Sequence, residues 1–356
     1  MPAGFVCSFH LFISFGDLFV FLFNASPLSS LLFSLPLSPL SAPLLLFHSV
    51  GLSFAFHLPP RFPRSAAPRQ HDYYGGNVQS ELDYTSVSPT RRWFLPSPYY
   101  AALVNATDPH APSAHFLWPD AAHATHAQAP PSPNVSLPRA TGQPLFVRLT
   151  LLDTSPFFPV YRNISASDPL TRSQLTANMS LQTDFAAQCL SGALDTRMLS
   201  PSPSPSPSPS PSPSVPVGSV VWNLVVGHHH ILSRYVDDSL GSELRDAVQP
   251  LLHQFGAHAY VNGHQHMLEK LTDAAGVAYL CSGAGSDLNT DRAVDPNVTS
   301  EFVDDRHNGF VTLQFSLTEL LVTYWGVDVS AVTDPSSMEN VRATVLLSDS
   351  LPYSPV

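Results

Sequence analysis

Three histidines, His228, His264 and His266, have the residue type and spacing for chemistry. His264 and His266 are two residues apart, so in an extended segment both rings project to the same side. Both clusters follow one pattern, a short apolar run ending in a Gly-His step. Val220–Val226 runs into Gly227-His228-His229-His230, and Ala257–Val261 runs into Asn262-Gly263-His264-Gln265-His266. Imidazole suits zinc, iron, copper or nickel, so three such rings around one volume predict a metal site. In a chain with 16 histidines, ordinary loop histidines account for the same spacing equally well.

The elements that must position these rings are a strand, a helix and a strand. Between the apolar runs, Leu240, Leu244, Val248, Leu251, Leu252 and Phe255 recur at helical spacing. In α/β sheets ligands gather at the carboxyl ends of strands, which is where both Gly-His steps fall. Leu145–Leu152 reads as a further strand, closed by Asp153-Thr154 and Pro156. A helix is expected over Leu181–Arg197, with Leu181, Phe185, Cys189 or Leu190, and Leu194 on one face. Tyr279–Ser282 reads as hairpin-like, and Gly309–Ser316 and Leu320–Trp325 as strands. Beyond Ser330 only Ala343–Leu347 shows a pattern.

Composition narrows the function classes. The 356 residues include 36 prolines but only 12% charged residues, and the net charge of -11 argues against a nucleic-acid partner. Three scattered cysteines make neither a disulfide framework nor a cysteine zinc site. Six N-x-S/T sequons, at Asn24, Asn105, Asn134, Asn163, Asn178 and Asn297, favour a secreted chain. Residues 1–69 read as a hydrophobic, low-complexity segment. Its stretch 5–23 is long enough to cross a membrane, so it is either an atypical signal or anchor, or sequence foreign to the fold. Residues 70–198 form a first part, interrupted by a proline-rich insertion at 104–141. Residues 199–218 are a Pro-Ser spacer, which cannot form helix or sheet because alternate residues lack an N–H. Residues 219–330 form the carboxyl half, and 331–356 a tail.

Beyond these local readings, VVGHHHI, then YVNGHQHMLEKL, then LCSGAGS resemble the carboxyl half of the purple acid phosphatases, most of all the small, tartrate-resistant type. Upstream, HDYYGGNVQSELDYTSVSPTRRWFLPSPYY resembles the family's G-N-H-D-Y-Y-G-N block and the segment after it. LLDTSPF, NGF and LLVTYWG follow in family order. The resemblance implies a four-layer α/β/β/α metallophosphoesterase sandwich, incomplete at the amino end. It implies a dinuclear centre of Fe(III) with Fe(II), Zn or Mn, and hydrolysis of a small phosphate monoester by metal-bound hydroxide. His228 and His264 correspond to ligands of the divalent metal and His266 to a ligand of the ferric ion. His71 corresponds to the residue that assists the phosphoryl group or protonates the leaving oxygen, and Gln70 to an amide ligand. FISFGDLF at 12–19 resembles the first metal-binding strand end, with Asp17 as its ligand.

The chain departs from the family at several of these points. Gln70 stands where the family has asparagine, and Gln265 where it has aspartate. No second histidine follows in the SRYVDDS segment, and no G-D-N-F-Y block is present. That block supplies the bridging aspartate and the tyrosinate. Two further readings therefore stay open: a catalytically impaired relative with a partial metal site, and a membrane- or wall-anchored protein without enzymatic function.

Overall fold

The computed structural model describes residues 9–15, 18–24, 64–65, 93–95, 97–107, 113–117, 143–164, 169–195, 215–236, 242–285, 288, 293–328 and 342–355. The amino-terminal strands are β1 (Phe9–Phe15), β2 (Leu18–Asn24), β3 (Arg64–Ser65), β4 (Trp93–Phe94), β5 (Tyr100–Asn105), β6 (Ser113–Leu117) and β7 (Leu145–Leu151). Helices α1 (Pro159–Ile164) and α2 (Pro169–Leu190) precede β8 (Val220–Val226), and α3 (Glu243–Gln254) follows it. Next come β9 (Ala259–Asn262), β10 (Leu268–Thr272), β11 (Ala278–Ser282), β12 (Phe302–Asp304), β13 (Asn308–Phe315), β14 (Glu319–Asp328) and β15 (Arg342–Pro352).

The strands form two sheets. One has eight strands in the order β12-β10-β11-β9-β8-β7-β5-β6; the other has seven, in the order β15-β14-β13-β1-β2-β3-β4. Strand β8 has side chains buried on both faces, as its unbroken apolar run requires. Trp222, Leu224 and Val226 enter the core between the sheets, where they meet Val311, Leu313, Phe315, Leu320, Val322 and Tyr324. Strand β13 alternates buried and half-buried residues, the period of a strand with one face in a core. On the other side of the eight-stranded sheet, Val225, Tyr260 and Tyr279 pack under Phe157, Tyr161, Leu244, Val248 and Leu252. The described residues thus build three layers, helix on sheet on sheet. A fourth layer over the outer face of the seven-stranded sheet is not among them.

Four neighbouring strands, β7, β8, β9 and β11, run parallel. Their carboxyl ends therefore lie along one edge of the sheet, and the segments Asp153-Thr154, Gly227-His229, Gly263-His264 and Gly283 emerge there together.

Polar contacts lock the layers. Arg148 on β7 donates from Nε and Nη2 to the Asp195 carboxylate at 3.1 and 2.5 Å, and from Nη1 to Asn223 on β8. Trp222 Nε1 donates to Ser316 O at 2.8 Å, and the Tyr324 hydroxyl to Glu269 O at 2.7 Å. Both bonds cross from one sheet to the other. Lys270, the only lysine, is buried on β10 and pairs with Glu301 and Asp349.

Several sequence expectations change. Residues 9–15 and 18–24, which cover most of the membrane-length stretch, form β1 and β2, paired antiparallel, with β1 also paired to β13. Among the described residues no helix is long and apolar enough to cross a membrane. Ala343–Leu347 is part of an 11-residue strand. Tyr353 beyond it donates its backbone N–H to Thr318 O. Helix α2 begins at Pro169, ahead of the expected start, and Leu181 is 56% exposed while Phe185, Cys189 and Leu190 are buried. Within the expected insertion, Ser113–Leu117 pairs with β5. Tyr279–Ser282 is hairpin-like as expected, in β11 antiparallel to the preceding β10, and it also pairs parallel with β9.

The Arg148–Asp195 pair yields a stability prediction. Arg148→Met leaves a buried carboxylate without its partner and should lower unfolding free energy by about 3–5 kcal/mol. Adding Asp195→Leu should recover most of the loss. Chemical denaturation of the wild type and both variants checks this; an unchanged midpoint in Arg148→Met would remove the pair from the account.

Candidate metal centre

The two Gly-His steps are tied directly to each other. The His228 carbonyl accepts the backbone N–H groups of Gly263 at 3.1 Å and His264 at 2.9 Å, and the Gly227 N–H donates to Val261 O at 3.0 Å. These bonds hold the two segments together as far as two residues past the strand ends. They bring the His228 and His264 rings together, with His228 Nε2 and His264 Nδ1 3.2 Å apart. Two glycines permit the approach. A Cβ on Gly227 would clash with the Thr154 methyl and the Tyr260 hydroxyl. A Cβ on Gly283 would overlap the carbonyl oxygens of Gln265 and Gly263.

His229 is the third ring. The ligating atoms of His228, His229 and His264 all lie within 4.8 Å of one another, and all three residues are buried. His229 is held from every side. Its N–H donates to Thr154 Oγ1 at 3.1 Å, its Nδ1 lies 2.8 Å from the same oxygen, and its Nε2 lies 3.2 Å from the Tyr161 hydroxyl. The Tyr260 hydroxyl donates to its carbonyl at 2.7 Å. Since Thr154 Oγ1 accepts the backbone N–H, the pattern assigns its own proton to Nδ1, which leaves Nε2–H to donate to Tyr161. Burial, reinforced by His228, His264 and His230, holds the His229 ring well below the usual histidine range, so the ring is neutral.

The donor chemistry fits a metal ion. Two nitrogens each ~2.0–2.1 Å from a tetrahedral zinc stand ~3.3 Å apart, close to the 3.2 Å between His228 Nε2 and His264 Nδ1. His229 already has a hydroxyl at each ring nitrogen, so it forms a wall of this site more readily than a ligand. Among the described residues no carboxylate joins the three imidazoles.

Of the residues expected from the sequence, the structure brings His228 and His264 together. His266 is half-buried and stands outside the group of three. Gln70, His71 and Asp17 lie outside the described residues. Sequence reasoning passed over His229, Thr154 and Tyr161. A hydroxyl just after a parallel strand, beside a histidine run on the next, is a signal for Thr154. Tyr161 has no local signal, because only helix packing carries it to the ring.

The loop after the histidines is fastened by Glu269. Its buried carboxylate accepts bonds from Ser233 Oγ and Arg234 N, both at 2.8 Å, and from Ser300 Oγ at 2.5 Å. Burial raises its pKa despite these donors. A cavity of about 150 Å³ lies along this loop, lined in part by His230, Ser233, Tyr235, Arg245 and Asp295. The His230 ring stacks on His264 with centroids 6.1 Å apart, so the cavity adjoins the imidazole group.

No family model matches the chain. Over 113 residues it is 30% identical to purple acid phosphatase 17 of Arabidopsis thaliana, covering 30% of this chain and 32% of that protein. Over 107 residues it is 32% identical to tartrate-resistant acid phosphatase type 5 of Homo sapiens, covering 28% of this chain and 33% of that protein. The chain spans about a third of the length of the curated relatives it matches. Among solved structures it is similar to one described as the anchor in the inner membrane complex of Plasmodium. That likeness has a TM-score of 0.48 and 15% identity, over 79% of this chain and 64% of the other. The described residues form a two-sheet sandwich with histidines at parallel strand ends, and over about 30% of the chain the sequence likeness runs to the purple acid phosphatases.

Two predictions follow from the geometry. Gly283→Ala must displace the 263–266 turn, and overpacking of this sort costs about 1–3 kcal/mol or more. Thermal unfolding reads it, and a wild-type midpoint would contradict the close approach. Glu269 binds its proton more tightly folded than unfolded, so folding gains stability as pH falls from above the raised folded value toward the ordinary one. Glu269→Gln lacks this gain. Acidifying from neutral to about pH 5 should therefore shift the stability difference toward the wild type. A difference constant with pH, measured by denaturation, would contradict it.

Proposed function

We propose that the chain is a phosphatase-like metallohydrolase acting on small phosphate monoesters, with His228 and His264 as its anchoring metal ligands. The observation that carries this is the pair of imidazole nitrogens 3.2 Å apart at adjacent parallel strand ends, in a chain related to acid phosphatases. A metal ion held there supplies Lewis acidity toward a phosphoryl oxygen. The chain's own residues do the rest. His229, neutral and fixed by Thr154 and Tyr161, gives the pair a rigid wall and holds no charge against a cation. The His228 carbonyl prevents the two strand ends from separating. The cavity beside His230 has room for the alcohol portion of an ester. In this reading His266 and Gln70 add ligands, Asp17 adds a carboxylate, and His71 gives a proton to the leaving oxygen. The ion pairing is iron with iron, zinc or manganese, and the chain works in a secreted or vacuolar compartment.

A second reading, an impaired relative with a single-metal or empty site, is favoured by one observation. The three imidazoles have no carboxylate partner among the described residues. Two cations close together need negative charge between them to offset their repulsion.

Metal analysis and aryl phosphate hydrolysis near about pH 5 separate the two, the range being that of a general acid with a pKa near the working pH. The proposal predicts bound iron or zinc and a rate above buffer. Each of His228→Ala and His264→Ala should weaken metal binding beyond the ~100-fold that loss of an outer-shell partner costs. Two metals per chain with a purple colour would sink the impaired reading. Protein without bound metal and without activity would sink the enzyme reading.

A further inference from the structure

We infer that Asn297 is an N-glycan acceptor, and that its glycan stands on the rim of the cavity beside His230. Asn297-Val298-Thr299 has the acceptor pattern, and the side chain of Asn297 is exposed in a loop. The loop is held from below. Asp295 N–H donates to Arg234 O at 2.7 Å, Val236 N–H to Ala293 O at 2.9 Å, and Tyr235 pairs with Val294. Asp295 Oδ1 then accepts both the backbone N–H of Asn297 at 2.8 Å and its Nδ2 at 3.0 Å. The amide is thereby presented at the surface in a defined orientation.

Attachment is compatible with that turn. The reaction joins Nδ2 to the anomeric carbon of a lipid-linked oligosaccharide diphosphate. That carbon's bond to the diphosphate oxygen breaks, the oxygen leaves with the electron pair, and one Nδ2 proton passes to the transferase. The product amide keeps one N–H, enough to preserve the bond to Asp295. Asp295 and Val298, on either side of Asn297, both line the cavity, so the sugar emerges at its edge.

Asn105 contrasts with this. It is half-buried in β5, paired with Ser113 and Phe146, and its Oδ1 accepts the Thr107 N–H at 3.0 Å. Thr107 Oγ1 in turn accepts the Leu145 N–H at 3.0 Å. That sequon is built into the sheet, whereas Asn297 faces outward.

The full chain, expressed in a secreting eukaryotic cell, tests the assignment. After enzymatic release of N-glycans in heavy-oxygen water, the tryptic peptide 293–306 should carry Asp with the isotope label at position 297. The label should be lost from this peptide in Thr299→Ala and retained in Ser300→Ala. Recovery of peptide 293–306 wholly unmodified from the wild type would overturn the proposal.

Discussion

One carbonyl organises the centre of this molecule. His228 O receives the N–H groups of Gly263 and His264, and so joins the ends of two parallel strands after their regular ladder has stopped. A strand end free of such a bond would fray, and the imidazole it carried would sweep a wide volume. Here the rings are confined, because the backbone that bears each is bonded to the backbone that bears the other. The absence of side chains at Gly227 and Gly283 is part of the same constraint, since a Cβ at either position would collide with Thr154 and Tyr260 or with the turn itself.

The confinement is passed outward in two directions. Toward the helices, His229 is fixed by Thr154 just after β7, Tyr161 from α1 and Tyr260 from β9. Toward the second sheet, β8 rests on a core of Val311, Leu313 and Phe315, and Trp222 and Tyr324 donate their polar hydrogens across the gap. Aromatic residues suit this role, with a large apolar body to bury and one polar atom to satisfy. The loop beyond His230 is governed by Glu269 and by the bridge between Tyr235 and Val294. It forms one side of the cavity and supports Asn297 above it.

Much of this was legible where the periodicity is strong. β7, β8, β13, β14 and α3 fall where the apolar pattern puts them, and the Gly-His steps do close adjacent parallel strands. β10 was passed over because its centre is Glu269-Lys270. Charges at that position read as surface until partners distant in sequence appear: Ser233, Arg234 and Ser300 for one, Glu301 and Asp349 for the other. The stretch 5–23 was read as membrane-length because continuous apolar character cannot separate two apolar strands from a span. The histidine group was half legible. Spacing pairs His264 with His266 on one side of an extended segment. After Asn262, however, the chain turns, and the ring beside His228 and His264 in the structure is that of His229.

The metal-binding pair we propose is His228 with His264. Its most direct test is anomalous diffraction from crystals of the full chain grown with zinc. The account predicts an anomalous peak bonded to His228 Nε2 and His264 Nδ1, with His229 still hydrogen-bonded to Thr154 and Tyr161. A peak seated elsewhere, or no peak with the two imidazoles still facing each other, would contradict it.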